Sequence, residues 1–273
     1  VKTKGTSKSL GNKHELDKFY TKKTIVDECL SYLKLNEYDC IIEPSAGSGA
    51  FSNEISNVKA FDLLPENENI IQADWLKLDK SQFNNFNNIL VIGNPPFGIS
   101  GNLAYKFIVE SMKFADTIAF ILPKGFKKES MKNRIPLNFS LTEEIDLQKD
   151  SFTLEGNDYS VPCVFQIWQK AETLRSKVVY KNTTELFKFV KKEEADFRIQ
   201  RVGGNAGKAS LDLNVSKNSN YFVKNTSNYS NDRLIEEINS LSFPSIDHTT
   251  GPKSLPKGEL IKVVEEKLII LNN

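Results

Sequence analysis

The 273 residues, 39% hydrophobic and 26% charged, suffice for one large globular domain and a smaller one, and the formal net charge of +1 points neither toward nor away from nucleic acid. Cys29, Cys40 and Cys163 lack CxxC spacing and a neighbouring histidine cluster, which argues against a zinc site or disulfide framework and for a reducing, intracellular compartment. No apolar run approaches the about 20 residues needed to cross a bilayer, so neither a metal nor a membrane partner is expected.

Residues 1–15 open with the Lys-, Ser- and Gly-rich Val1 to Lys13 and read as a flexible basic arm, either solvated or touching phosphate. Asp17-Lys18-Phe19-Tyr20-Thr21 precedes a helical pattern of Ile25, Val26, Cys29, Leu30 and Leu33, with Thr21 as the expected N-cap. Cys40-Ile41-Ile42-Glu43 is a short strand, and Pro44-Ser45-Ala46-Gly47-Ser48-Gly49 leads from it into an expected helix, Ala50 to Ile55. Gly47 and Gly49 let the backbone turn sharply and approach a ligand that a Cβ would exclude. A phosphate loop is excluded because no Gly-Lys-Ser/Thr follows. Val58 to Asp62 is the next strand, and its acid, within about 20 residues of the glycine loop, suits a ribose ligand, with Leu63 offered to an adenine face. A third strand, Ile70 to Trp75, carries Asp74, and Trp75 is placed to pack against the same ring.

Ile89 to Ile92 and Gly93 form a buried strand, and Asn94-Pro95-Pro96-Phe97 starts the loop after it. Two prolines stiffen that loop and leave its carbonyls free to accept; Asn94 adds an amide and Phe97 a flat apolar face. Such a loop suits a planar ring with an exocyclic amino group. Asn94-Pro95-Pro96-Phe97 resembles motif IV of S-adenosylmethionine-dependent amino-methyltransferases, chiefly those acting on adenine N6. Glu43 to Phe51 resembles motif I of class I methyltransferases, where the loop wraps the methionine moiety, which places Glu43, Ser45, Ala46, Gly47 and Gly49 at the cofactor. Phe-Tyr-Thr before a helix is similar to motif X, which implies that Tyr20 and Thr21 meet the methionine end, although an aromatic there also serves as a hydrophobic staple. The resemblance further implies that Asp74 accepts from the cofactor adenine amino group.

Leu103, Phe107, Ile108, Ser111, Met112 and Ala115 outline a helix whose buried stripe reads as core. Thr117 to Pro123 is an apolar strand. Leu141 to Leu147 and Val161 to Trp168, joined by a polar turn around Glu155-Gly156-Asn157-Asp158, suit an antiparallel pair closing the sheet. Tyr159 enters the last strand, as a pocket-lining residue or as a strand-edge aromatic. Cys163 follows Pro162 as in cytosine-C5 methyltransferases, yet it sits inside an apolar strand and reads as a small core hydrophobe. The pattern changes near Lys170. Leu186-Phe187-Phe189-Val190 has helical spacing, Asn- and Ser-rich loops follow, and Leu234 to Leu241 and Leu260 to Ile269 read as helices. Arg198, Arg201, Asn205 and Lys208, around a glycine turn, suit a grip on a phosphate backbone or groove, or an ordinary charged hairpin.

The motif order resembles the γ arrangement of DNA adenine-N6 methyltransferases over roughly residues 16 to 170. It implies an α/β fold, a mainly parallel doubly wound Rossmann-like sheet with an antiparallel strand pair, in a methyltransferase domain 16–172. A small α+β target-recognition domain, 173–273, follows. The expected reaction is methyl transfer from S-adenosylmethionine to N6 of a flipped-out adenine held by the NPPF loop, with DNA favoured over RNA as partner and any restriction or regulatory subunit a separate chain. RNA adenine-N6 methylation, protein-glutamine methylation and an idle nucleic-acid-binding subunit are the alternatives.

Overall fold

A computed structural model describes residues 19–154 and 156–268. The basic arm, Asp17-Lys18, Glu155 and Ile269 lie outside the described residues. The chain divides into two compact units, Val1–Pro123 with Ile135–Arg175, and Lys124–Arg134 with Ser176–Asn273.

The first unit runs β1 (Tyr20–Thr21), α1 (Lys23–Ser31), β2 (Cys40–Glu43), β3 (Val58–Asp62), β4 (Ile71–Gln72), β5 (Ile89–Gly93), α2 (Asn102–Ser111) and β6 (Thr117–Pro123), then β7 (Phe139–Asp146), β8 (Phe152–Leu154), β9 (Asn157–Tyr159) and β10 (Cys163–Lys170). Seven strands make one sheet in the order β4-β3-β2-β5-β6-β10-β7. The first five are parallel, and β10 is antiparallel to both β6 and β7. This is a mainly parallel, Rossmann-like sheet closed by an antiparallel strand pair. Its central strands are apolar on both faces: Ile42, Leu90, Val91, Ile92 and Ile118 through Leu122 are all fully buried, each stabilising the fold by about 1.5–3 kcal/mol where its side chain is large. The order reverses between β2 and β5, because β3 and β4 extend one way and β6 the other. That opens a crevice at the carboxyl ends of β2 and β5, where the glycine loop and Asn94-Pro95-Pro96-Phe97 begin.

Several expectations need correction. Ala50 to Ile55 forms consecutive turns and no helix; a six-residue segment pays nucleation for few bonds, and the Glu43 carboxylate takes the Ser52 N–H at 2.8 Å. The third strand shrinks to Ile71–Gln72 at the sheet edge, so Asp74 and Trp75 lie beyond it. Thr21 does not cap α1. It is paired in β1, the N-cap is Lys22, and no side chain bonds there. Between β7 and β10 the polar turn is the tip of β8 and β9, which join β1 in a separate three-stranded antiparallel sheet. Tyr159 therefore ends β9 and does not enter β10.

The second unit holds the short helix α3 (Glu129–Lys132), strands β11 (Phe187–Phe189), β12 (Phe197–Gln200), β13 (Ala209–Ser210) and β14 (Asn220–Asn225), and helices α4 (Asn231–Ser240) and α5 (Lys257–Leu268). The strands form an antiparallel sheet, β11-β14-β12-β13. Leu186 to Val190 is a strand and not a helix: alternating Phe187 and Phe189 pair with β14 and pack one face on the core with Leu234, Ile238, Leu260 and Val264. The α4 helix starts where the Ser230 hydroxyl accepts from Arg233 N–H at 3.2 Å. Among the described residues, no helix is long and apolar enough to cross a membrane.

Candidate active site

A cleft with a cavity volume of about 230 Å³ lies in the first unit at the carboxyl ends of β2, β3 and β5. Of the residues expected at a site, Tyr20, Thr21, Glu43, Ser45, Ala46, Gly47, Asp62, Leu63, Asp74, Trp75, Asn94 and Pro96 line it. Gly49, Pro95 and Phe97 are not among its lining residues.

The glycine loop is held by the acids around it. Gly47 has φ +57° with no atom within 4 Å of where a Cβ would stand, so its backbone faces open space, and its N–H donates to Asp62 Oδ2 at 2.7 Å. Asp62 Oδ1 accepts from Leu64 N–H at 2.8 Å, which leaves roughly half of that carboxylate's lone pairs for a ligand. At Gly49, φ +96°, a Cβ would come within 2.9 Å of Asn53 Oδ1. Leu63 is 52% exposed, an apolar surface offered at the rim. Asp74 accepts from Leu76 N–H at 3.1 Å, and its ion pair with Lys77 at 3.0 Å holds its carboxyl below the ordinary range. Trp75 is buried in an aromatic cluster with Phe61, Phe83 and Phe114, and its indole N–H has no partner among the described residues.

Glu43, at the end of β2, is 1% exposed, and burial pushes its carboxyl up to about 8 from 4.5, against the hydrogen bonds from Ser52 and Phe51. The unfolded chain releases this proton above about 4.5 while the folded chain keeps it to about 8, so stability falls as pH rises through that window and levels off above it. Glu43→Gln is expected to remove this slope: equal to the parent near pH 4.5, and more stable than it at pH 8 by something on the order of a few kcal/mol. Urea unfolding at the two pH values checks this, and an offset identical at both would refute it.

On the other side of the crevice, Phe97's backbone carbonyl accepts from Leu103 N–H at 3.1 Å and Ala104 N–H at 3.3 Å, which fixes the Asn-Pro-Pro-Phe loop to the first turn of α2. Asn94 Nδ2 donates to Thr21 Oγ1 at 3.2 Å, and Ser45 Oγ donates to the Asn94 carbonyl at 3.3 Å. Asn94 Oδ1 is buried with no donor among the described residues. Phe97 is buried, its ring 6.5 Å from Phe19, and Phe19 stacks on Tyr159 at 4.7 Å with 10° between planes.

In the second unit, the four expected nucleic-acid residues have mixed fates. Arg198 bonds Asp212 O, Gln200 Oε1 and Asn220 Oδ1, and Lys208 Nζ donates to Asn239 O at 2.8 Å, so both side chains serve internal contacts. Arg201 lies over the Tyr221 ring at 5.5 Å and is exposed, as is Asn205. Cys163 is buried, and burial pushes its thiol upward, as befits a core residue. Among the described residues no group of three His, Cys, Asp or Glu could hold a metal ion.

Residues 19–175 match the family described as EDM2 methyltransferase-like domain, more than half of the chain. The chain belongs to that family. The plant protein ENHANCED DOWNY MILDEW 2 of Arabidopsis thaliana is 25% identical over 142 residues, 50% of this chain and 10% of that protein. An rRNA adenine N-6-methyltransferase of Limosilactobacillus reuteri is 29% identical over 146 residues, 47% of this chain and 58% of that one. The chain thus spans less than two thirds of either curated relative. A solved Pyrococcus horikoshii structure, provisionally assigned as an RNA methyltransferase, aligns with TM-score 0.44 and 14% identity over 59% of this chain and 91% of that one.

The matched span contains the whole cleft, including parts that the sequence alone does not mark. Phe19 lines it, and Glu66 lines it while accepting from Tyr20 OH at 2.8 Å. Leu103 and Phe107, whose spacing reads as core alone, also line it. Leu103 and Phe107 of α2 thereby add apolar surface to the cleft lining. Only the Phe-Tyr-Thr resemblance points toward Phe19; nothing local marks Glu66.

Proposed function

We propose that this chain transfers a methyl group from S-adenosylmethionine to the N6 amino group of adenine in nucleic acid. The observation that carries this reading is the buried, unpartnered Asn94 Oδ1, set in the same cleft as the Gly47 loop. An acceptor left unsatisfied in a protein interior costs about 1–3 kcal/mol, so it marks a place where a donor is expected.

The residues present fit the cofactor. Gly47 offers backbone to open space, Asp62 retains acceptor capacity for ribose hydroxyls, Leu63 presents an apolar face, and Asp74 offers a carboxylate for an adenine amino group. Tyr20, Thr21, Ser45 and Ala46 would surround the methionine end, and Glu43 and Gly49 hold that loop in shape. When bound, S-adenosylmethionine supplies an electrophilic sulfonium methyl, which needs only a well-placed lone pair. Asn94 Oδ1 and the Pro95 carbonyl accept from the target amino group, fixing its lone pair toward the methyl, so catalysis is positioning and electrostatics. Phe97, buried beside Phe19 and outside the cleft lining, would provide the stacking face for the target base, unstacked from its strand, once Phe19 gives way.

A polymer as carrier of the base is supported by charge. Lys124–Arg134 and Ser176–Asn273 together hold 20 Lys and Arg against 13 Asp and Glu, formally +7, whereas the rest of the chain holds 16 against 22. On the sheet of this unit, exposed Lys188 and Lys224 stand directly opposite each other on β11 and β14, an arrangement that costs stability until an anion meets it. Binding to an oligonucleotide is expected to weaken steeply with salt, by roughly 0.9 in log–log slope per phosphate neutralised, and the double change Lys188→Ala, Lys224→Ala is expected to reduce that slope. Fluorescence anisotropy from low to physiological salt checks this; a flat dependence would remove the second unit from the interface.

DNA is the polymer that the γ-like motif order favours. RNA is the second reading, favoured by the likeness to a protein named as an rRNA adenine N-6-methyltransferase. Labelled S-adenosylmethionine offered with unmethylated duplex DNA, single-stranded DNA and RNA, followed by nucleoside analysis, decides between them. Label in N6-methyladenine of any of the three supports the reaction, and label in none, or in protein, overturns it.

A further inference from the structure

We infer that Thr21 is a positioning residue for Asn94: its hydroxyl holds the side-chain amide in place on the loop after β5, so that the amide is already ordered when a target amino group arrives. The inference rests on the methyl-transfer reading and deepens it, since it names the group that holds the Asn94 amide.

A primary amide has one acceptor and one donor end, and a half-turn about its last bond exchanges them. On a loop open to water such a side chain is free to rotate, and ordering it when a target arrives costs conformational entropy. Here the donor end is occupied, because Nδ2 donates to Thr21 Oγ1 at 3.2 Å. The backbone of the same residue is held separately through Ser45 Oγ at 3.3 Å from its carbonyl. With the amide nitrogen and the backbone both held, Oδ1 is the atom left buried without a donor, and a target amino group would satisfy it.

Thr21 is itself well anchored. It is only 9% exposed and pairs with Phe152 across β1 and β8. The next residue closes the arrangement: Lys22 N–H donates to Ser151 O at 3.1 Å, and Lys22 Nζ pairs with Asp158 on β9 at 2.7 Å. The small three-stranded sheet thereby holds one hydroxyl against the amide on the β5 loop, 73 residues away in sequence. This gives a purpose to two- and three-residue strands too short to be stable alone.

The test compares Thr21→Ser, which keeps the hydroxyl, with Thr21→Ala, which removes it, and adds Thr21→Val as the closest match in shape. At saturating cofactor, kcat is expected to stay within about threefold of the parent in the serine variant and to fall at least about tenfold in the alanine and valine variants. Equal kcat in the serine and alanine variants, or a loss confined to the KM for cofactor, would overturn the inference. A readout independent of turnover is the Asn94 side-chain amide in ¹⁵N NMR spectra of the full chain, assigned by its disappearance in Asn94→Asp. One of its protons is expected to exchange slowly in the parent and Thr21→Ser, and fast in Thr21→Ala. Identical exchange in all three also overturns the inference. A parent chain that labels no nucleic acid while showing the expected exchange would instead overturn the methyl-transfer reading and leave the Thr21–Asn94 contact standing.

Discussion

Asn94→Ala is expected to abolish measurable methyl transfer, lowering kcat by about 10²–10³ or more, while S-adenosylmethionine still binds. The magnitude follows from what the amide does. Removing one preorganised hydrogen-bonding group from a charge-developing site typically costs about 2.7–4 kcal/mol in the barrier, and here the same group also orients the nucleophile. Among the described residues the side chain makes one hydrogen bond, to Thr21 Oγ1, so little folding energy is lost with it. Its backbone carbonyl, which Ser45 Oγ meets, survives in alanine, and with it the tie between the β5 loop and the glycine loop. Cofactor affinity by calorimetry should therefore stay within about threefold, a change below about 0.7 kcal/mol. Asn94→Asp sharpens the result. It keeps an oxygen in place of Oδ1 and loses the donor to Thr21, so it should retain some turnover if the acceptor matters most. Full activity in Asn94→Ala would remove the loop from the chemistry.

The residues behind this expectation are legible in the sequence to different degrees. Buried parallel strands read as apolar runs, so Cys40–Glu43, Ile89–Gly93 and Thr117–Pro123 are visible, and the loops that follow the first two carry glycine and proline whose backbone limits are local facts. The turn after β2 reads as a helix because a glycine loop leads into it; a backbone bond from Ser52 to a buried carboxylate is a tertiary event that the local sequence does not reveal. Phe187–Phe189 misleads for a similar reason, since a run of three or four apolar residues fits either period until its partner strand is known. Of the sheet of β1, β8 and β9 the sequence shows only the polar turn between β8 and β9: the strands are two or three residues long, and β1 meets β8 across more than 130 positions. The Thr21–Asn94 bond depends on that sheet, and so the capping role expected for Thr21 gives way to a contact that only the fold supplies.

Asp62→Ala is expected to weaken S-adenosylmethionine binding about 100-fold, with most of the turnover recovered at saturating cofactor. The residue does two jobs that truncation ends together. Its Oδ2 accepts from Gly47 N–H at 2.7 Å and its Oδ1 from Leu64 N–H at 2.8 Å, so it fastens the glycine loop to the end of β3. Its remaining lone pairs are the acceptors proposed for the ribose hydroxyls. A hydrogen bond to a charged group contributes about 1.5–3 kcal/mol, so loss of one or two from the ligand accounts for roughly a hundredfold. The freed N–H groups lie at a partly exposed rim where water can meet them, which keeps the loss of folding stability small by comparison. Asp62→Asn separates the two jobs. The asparagine oxygen can still hold one backbone amide, but the amide nitrogen presents donors where two hydroxyls need an acceptor, so its affinity should fall nearly as far while its melting temperature moves less. The position of the loss is as informative as its size. An effect on kcat at saturating cofactor would mean that the glycine loop shapes the transfer step, and an unchanged dissociation constant in both variants would remove Asp62 from the cofactor site.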